Sequence, residues 1–168
     1  AKEKAESGGI SQWTRLRGYW RLENGAYHGS GVGECETYSG DIRWTNYTLE
    51  TELVPLVGEH HYVNVRVQGA LHSYAFGLAP EGKIALYEKN KTYQVLATAP
   101  FEWSHAEPYR LSVRVEGGNL TAHVSAPDGR RQHINWNPLS LLSGQFGFST
   151  WHGSHMRYQW LHIHSNEQ

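Results

Sequence analysis

The feature that most constrains this chain is a succession of short runs in which apolar and polar residues alternate, each broken by a turn signal. They read YVNVRVQG, SYAFGLAPEGKIALYEK, TYQVLATAPF, YRLSVRVEGGNLTAHVSAPDG, GQFGFSTW and MRYQWLHIHS. Successive side chains of a strand point to opposite faces, so such runs suit strands with one apolar face, and helical periodicity is nearly absent. Three hairpins carry their own turn chemistry: APEGK with Pro80 and Gly82, EGGN with Gly117 and Gly118, and APDG with Pro127 and Gly129. Many short strands without βαβ alternation predict an all-β fold, a two-sheet antiparallel β-sandwich or jelly roll. A single helical turn is expected at PLSLL (138–142), with Pro138 opening it and Gly144 stopping it.

The segment AKEKAESGG (1–9) is charged, small and glycine-terminated and reads as a linker or cut end, which leaves 10–166 as one domain. A chain of 168 residues is long enough to bury roughly 70% of its unfolded surface without staples. Fifteen Lys and Arg against sixteen acids provide no global field for a polyanion or an anionic membrane, so neither nucleic acid nor a membrane is expected as partner. No apolar run approaches the ~20 residues of a membrane helix, and a soluble protein is expected, cytoplasmic or secreted. The lone Cys35 cannot form an internal disulfide.

In YVNVRVQG the valines 63, 65 and 67 alternate with Tyr62, Asn64, Arg66 and Gln68. If the valines enter the core, Arg66 and Asn64 stand together on the outer face, where a guanidinium fork beside an amide holds vicinal hydroxyls or a carboxylate. The competing assignment is a surface arginine paired to Glu50 or Glu52, worth ~0.5 kcal/mol. In LETELV, Leu49, Thr51 and Leu53 alternate with Glu50 and Glu52, which places two carboxylates on one outward face. Seven Trp and ten Tyr supply flat apolar faces with polar edges. Tyr62, Tyr74, Tyr87, Trp103 and Trp151 are the stacking candidates, whereas Trp13, Trp20, Trp44, Trp136 and Trp160 are assigned to core or interface packing.

The order of these motifs carries a resemblance. WRLENGAYHG from Trp20, WTNYTLETELVPL, VNVRVQG, SYAFGL, APEGKIALYEK, PYRLSVRVEGGNL and GQFGFSTW, over about residues 18–164, are together similar to the laminin-G-like, concanavalin A-like sandwiches. Within these, the chain most resembles the family 66 carbohydrate-binding modules. WRLENGAYHGSG and RVQGALHSYAFGLAP also resemble the sandwich appended to bacterial proteins of the ADP-ribosylglycohydrolase family. That likeness implies an accessory domain, covalently linked to a catalytic domain of hydrolase type, with a carbohydrate ligand. The expected binding set is Arg66, Asn64, Glu52 and Glu50 for polar contacts and Tyr74, Trp103 and Trp151 for stacking. Glycoside hydrolases of this fold carry E-x-D-x-E or E-x-D-x-x-E; Glu50-Thr51-Glu52 lacks the aspartate and the third acid, so catalysis is the rival reading rather than the expected one. A third reading is an interaction domain packed on a catalytic partner.

His60-His61, His152 with His155 and His162 with His164 are the histidine clusters, and no zinc motif accompanies them. No cofactor is expected; GECETYSGD offers Glu34, Glu36 and Asp41 in one loop, the place a calcium ion would take, against the reading of a solvated acidic loop. GSGVGE joins strands and lacks the helix and lysine of a phosphate loop, and no G-x-S-x-G elbow is present.

Overall fold

The structure is a computed structural model that describes residues 14–15, 19–23, 26–31 and 33–166. The expected linker at 1–9, the domain start at residue 10, Trp13, the Asn24-Gly25 turn and the side chain of Trp20 lie outside the described residues. Among the described residues the elements are strands: β1 Thr14–Arg15, β2 Tyr19–Glu23, β3 Ala26–Ser30, β4 Glu34–Ser39, β5 Tyr47–Val57, β6 His61–Val67 and β7 His72–Ala79. They continue as β8 Lys83–Asn90, β9 Thr92–Pro100, β10 Tyr109–Glu116, β11 Asn119–Ser125, β12 Arg131–Trp136, β13 Gln145–Trp151 and β14 His155–Ser165.

Two seven-stranded antiparallel sheets face each other. Sheet A runs β1-β4-β13-β6-β7-β8-β9 and sheet B runs β12-β11-β10-β5-β14-β3-β2. The expected hairpins are present. Glu116 pairs with Asn119 across Gly117-Gly118, Ala79 pairs with Lys83, and Ser125 pairs with Arg131 around a turn closed by Gly129 N–H donating to Ala126 O at 3.0 Å. They yield two meanders, β6 to β9 in sheet A and β10 to β12 in sheet B.

The period-two pattern places the core between the sheets. Val63, Val65, Phe76, Leu78, Ile84, Leu86 and Phe148 come from sheet A, and Leu49, Leu53, Leu111, Val113, Val115, Leu120 and Val124 from sheet B, all buried. Full burial of one such side chain stabilises by about 1.5–3 kcal/mol, so parity is strongly specified wherever it is maintained. Trp136 packs partly buried against this core as expected, but Trp44 is 37% exposed and lies flat over Phe146, ring centroids 5.9 Å apart.

Among the described residues the register shifts at four places, one between β6 and β13, two between β14 and β5 and one between β8 and β9, and two of them move expected residues. Between Asn64 and Val67, β6 spends three residue steps against the two from Gly147 to Gln145 on β13, and Arg66 there adopts φ 50°. The approach is so close that a Cβ on Gly144 would sit 2.3 Å from the Arg66 carbonyl carbon, so only glycine fits. On β14 the register shifts between Tyr158 and Trp160: Tyr158 opposes Leu53 on the core side, while Trp160 opposes Glu52 on the outer face. Trp160 is therefore not a core residue. Residues 138–142 form no helical turn; Leu139 is buried and its N–H donates to Gly118 O at 2.9 Å. Among the described residues no helix is long and apolar enough to cross a membrane.

Candidate functional site

Cross-strand partners share a face, so the register identifies what sheet A presents on its outer side. One row reads Tyr38, Gly147, Asn64, Ala75, Tyr87, and the next reads Glu36, Ser149, Tyr62, Gly77, Ala85. Gly147 and Ala75 flank Asn64 in the first row and Ser149 and Gly77 flank Tyr62 in the second, so the large side chains stand over a low floor. Trp151 occupies the middle of this nest, with ring centroids 4.3 Å from Tyr62, 4.3 Å from Tyr93, 4.9 Å from Tyr87 and 5.6 Å from His60. It is only 3% exposed, and its indole N–H has no hydrogen-bond partner.

Beside the rings lies a buried ion pair. Glu36 is 1% exposed, and Lys89 Nζ donates to its two oxygens at 3.0 and 3.1 Å. The hydroxyls of Tyr38 and Tyr93 also donate to this carboxylate. Asn64 Nδ2 donates to the Tyr93 oxygen at 3.1 Å, and Asn64 Oδ1 accepts from Ser149. Burial first, then the Glu36 charge, pushes the Tyr38 and Tyr93 phenols far above their ordinary pKa, so both stay protonated donors. His60 Nδ1 bonds the Tyr62 hydroxyl at 2.8 Å, and Tyr62 bonds Tyr87 at 3.0 Å. Burial, and then the neighbouring His152, lowers His60 to about 4, so its ring is neutral near pH 7. The nest meets solvent at the partly exposed Tyr93 and His60 and at the exposed His152.

A buried ion pair is weak evidence for stability, because desolvation offsets most of its attraction. A buried N–H without an acceptor is uncommon. An outer sheet face that carries both holds fixed donors, acceptors and aromatic faces in one place, the set that recognition of a polyhydroxyl ligand requires.

The structure distributes the seven expected site residues over several regions. Asn64 and Trp151 belong to the nest. Arg66 does not stand on the outer face: it is 0% exposed, because the bulge turns it into the end of the sandwich. There its Nε and Nη2 donate to Thr45 O at 3.1 and 2.8 Å, and its Nη1 donates to Leu141 O at 2.9 Å and to Gly117 O. The guanidinium ties three loops together. It has no ion pair with Glu50 or Glu52, because the β5–β6 connection crosses from one sheet to the other and the two strands are not neighbours.

Glu50 and Glu52 do face outward as expected, but on sheet B. Glu52 lies 3.7 Å from Arg110 and Glu50 lies 3.5 Å from His164. Tyr74 points into the core, and its oxygen accepts the N–H of Ser140 at 2.8 Å, so it is an anchor for a loop and not a stacking surface. Trp103 is partly buried against the core and donates its N–H to Ala79 O at 2.9 Å, away from the nest.

The residues proposed for calcium do not make a site. Glu34–Ser39 is a strand, Glu36 is engaged by Lys89, and Asp41 is held by Arg43 at 2.7 Å. Among the described residues no group of three or more His, Cys, Asp and Glu is arranged to hold a metal. Glu36, Tyr38, Lys89 and Tyr93 were missed from sequence. The alternation of ECETYS was a readable signal for Glu36 and Tyr38; for Lys89 and Tyr93 nothing short of the strand pairing would have placed them.

No family model and no curated protein sequence matches this chain. Solved structures do. The carbohydrate-binding module CBM66 from Bacillus subtilis superposes with a TM-score of 0.81 at 19% identity, covering 92% of this chain and 96% of that one. The VIP36 exoplasmic/lumenal domain in its Ca2+/Man3GlcNAc-bound form gives 0.74 at 13% identity, covering 100% and 91%. The lectin UEA-II complexed with galactose gives 0.69 at 12% identity, covering 94% of each. The chain is thus an all-β sandwich of the lectin-like type, similar in fold to CBM66.

Proposed function

We propose that this domain binds carbohydrate without transforming it, through the nest on the outer face of sheet A. The observation that carries this reading is the Glu36–Lys89 pair buried under Tyr93 and Trp151 on a sheet face that points away from the core. A sugar ring stacks its C–H face on the partly exposed Tyr93 and His60, its hydroxyls exchange hydrogen bonds with the imidazoles of His60 and the exposed His152 at the rim, and the buried Asn64, Lys89 and Glu36 hold Tyr93 in place beneath it. Carbohydrate-binding neighbours of the same fold support the ligand class. Binding by one such site is weak, since few polar contacts remain after the cost of ordering ligand and side chains.

Within a longer protein the domain acts as a positioning module for a covalently linked hydrolase. The likeness of WRLENGAYHGSG and RVQGALHSYAFGLAP to the sandwich of ADP-ribosylglycohydrolase-family proteins supports this context. Glu50 and Glu52, the acid pair weighed for catalysis, stand on sheet B away from the nest, Glu52 beside Arg110 and Glu50 beside the His164 ring, which supports a binding role over hydrolysis.

A glycan array of neutral oligosaccharides on the isolated domain, followed by calorimetry with the best ligand, tests the proposal. Tyr93→Ala should weaken binding roughly tenfold, the range of one lost aromatic and hydrogen-bonding contact. A folded wild-type domain that retains no glycan, or a Tyr93→Ala variant that binds as well as wild type, sinks it.

A further inference from the structure

The outer face of sheet B has a different construction. Register places five side chains on one ladder across five neighbouring strands: Arg131, Ser125, Arg110, Glu52 and Trp160. With strands ~4.8 Å apart, four steps make a row of ~19 Å, the length of a short oligosaccharide rather than of one ring. The row is hollow along its middle. A cavity of about 420 Å³ lies over Ser112 and Ser125 between Arg110, His123, Arg131 and Trp160, and a second of about 340 Å³ shares Arg110, Ser125 and Arg131 with it. That volume falls within the range of small-molecule sites.

The charges are unevenly answered. Arg110 Nε lies 3.7 Å from Glu52, and its guanidinium stands 5.7 Å from the centre of the Trp160 ring. Arg131 is exposed and makes no ion pair among the described residues. Two guanidinium groups therefore flank Ser125, with an aromatic platform two positions beyond Arg110 and one uncompensated positive charge at the far end.

We propose that this groove is a second binding site, separate from the sheet A nest, and that its ligand is an acidic oligosaccharide bearing a carboxylate. The carboxylate sits over Ser125 and takes paired N–H donors from Arg131 and Arg110, a geometry that a guanidinium offers and an ammonium does not. The adjoining sugar stacks on Trp160. Glu52 in the row and Glu50 beside it repel a second negative charge on one group, which disfavours a phosphate monoester, and the planar two-oxygen carboxylate matches the guanidinium fork better than a tetrahedral sulfate does.

Calorimetry on the intact chain with a trimer of hexuronic acid, its neutral hexose counterpart and a sulfated trimer tests the groove. The hexuronate trimer should bind, weaken as salt is raised, and lose roughly 10- to 100-fold in affinity in Arg131→Ala, with part of the loss recovered in Arg131→Lys. Because Arg131 is an exposed surface residue, the variant should melt as wild type does and retain any neutral sugar bound at sheet A. Equal affinity of wild type and Arg131→Ala for the hexuronate, preference for the sulfated trimer, or no hexuronate binding at all overturns the proposal. None of these outcomes bears on the sheet A site, whose ligand is followed separately through the Tyr93→Ala variant.

Discussion

The outer faces of the two sheets begin from the same geometry and end in opposite states. Sheet A has glycine, alanine and serine flanking Asn64 and Tyr62 in its rows, so its large side chains stand over a low floor and bury a carboxylate, an ammonium and an amide beneath aromatic rings. Sheet B carries long charged side chains along its central ladder, where Arg110 keeps 69% of its side-chain surface in solvent and the groove stays open. Each face has an acid–base pair, Lys89 with Glu36 at 3.0 Å and Arg110 with Glu52 at 3.7 Å. The worth of such a charge is set by the depth of water above it and not by which residues make the pair.

The largest expected difference comes from breaking the two pairs in the same way. Lys89→Met leaves Glu36 buried without its cation and should lower stability by roughly 3–5 kcal/mol in urea denaturation, while Glu36→Gln added to it should recover part of the loss. Should Lys89→Met unfold at the same urea concentration as wild type, the closed face is not buried as described.

Acid should act next. His61 is fully buried with Nε2 donating to Gly58 O at 2.9 Å, and burial lowers it to about 4, as it does His60 in the nest. A base whose folded pKa lies below its unfolded value of about 6.5 is protonated first in the unfolded chain. Stability is therefore fully present above pH 6.5 and is lost as pH falls toward 4, by at most about 3 kcal/mol for His61. Melting temperatures from pH 7 to 4 should follow that slope, and His61→Gln should flatten it; an unchanged slope in the variant assigns the effect elsewhere.

Smaller still is Tyr38→Phe, which deletes one donor to a buried carboxylate and should cost about 1.5–3 kcal/mol, as a hydrogen bond to a charged group does. The smallest effect belongs to the open face. Arg110→Met should change stability by under ~1 kcal/mol, and less in high salt, because its pair is hydrated. A loss comparable to that of Lys89→Met would erase the contrast between the faces.

Much of the fold was legible. Val63 and Val65, Leu49 and Leu53, and the hairpins at EGGN, APEGK and APDG behave as their alternation and turn residues predict. The outward placement of Asn64, Glu50 and Glu52 was also readable. Arg66 and Trp160 were not: Arg66 lies within the β6 bulge, which turns it out of the strand's alternation, and Trp160 follows a bulge in β14, where one additional residue moves the side chains after it to the other face. Arg66 does not meet Glu50 or Glu52 for another reason: β5 and β6 are adjacent in sequence but belong to opposite sheets. GECETYSGD has the acids and glycines of a loop, yet its alternation makes Glu34–Ser39 a strand.

By itself, the sequence determined that this chain is built of strands, where most of them turn, and which side chains of an unbroken strand share a face. Those are local properties, set by backbone sterics and a two-residue period. Only the tertiary structure decided which strands became neighbours, where a bulge reversed the count, and hence that one outer face closed over its charges while the other stayed open. These depend on pairings between residues far apart in the chain, whose energies no short stretch of it contains.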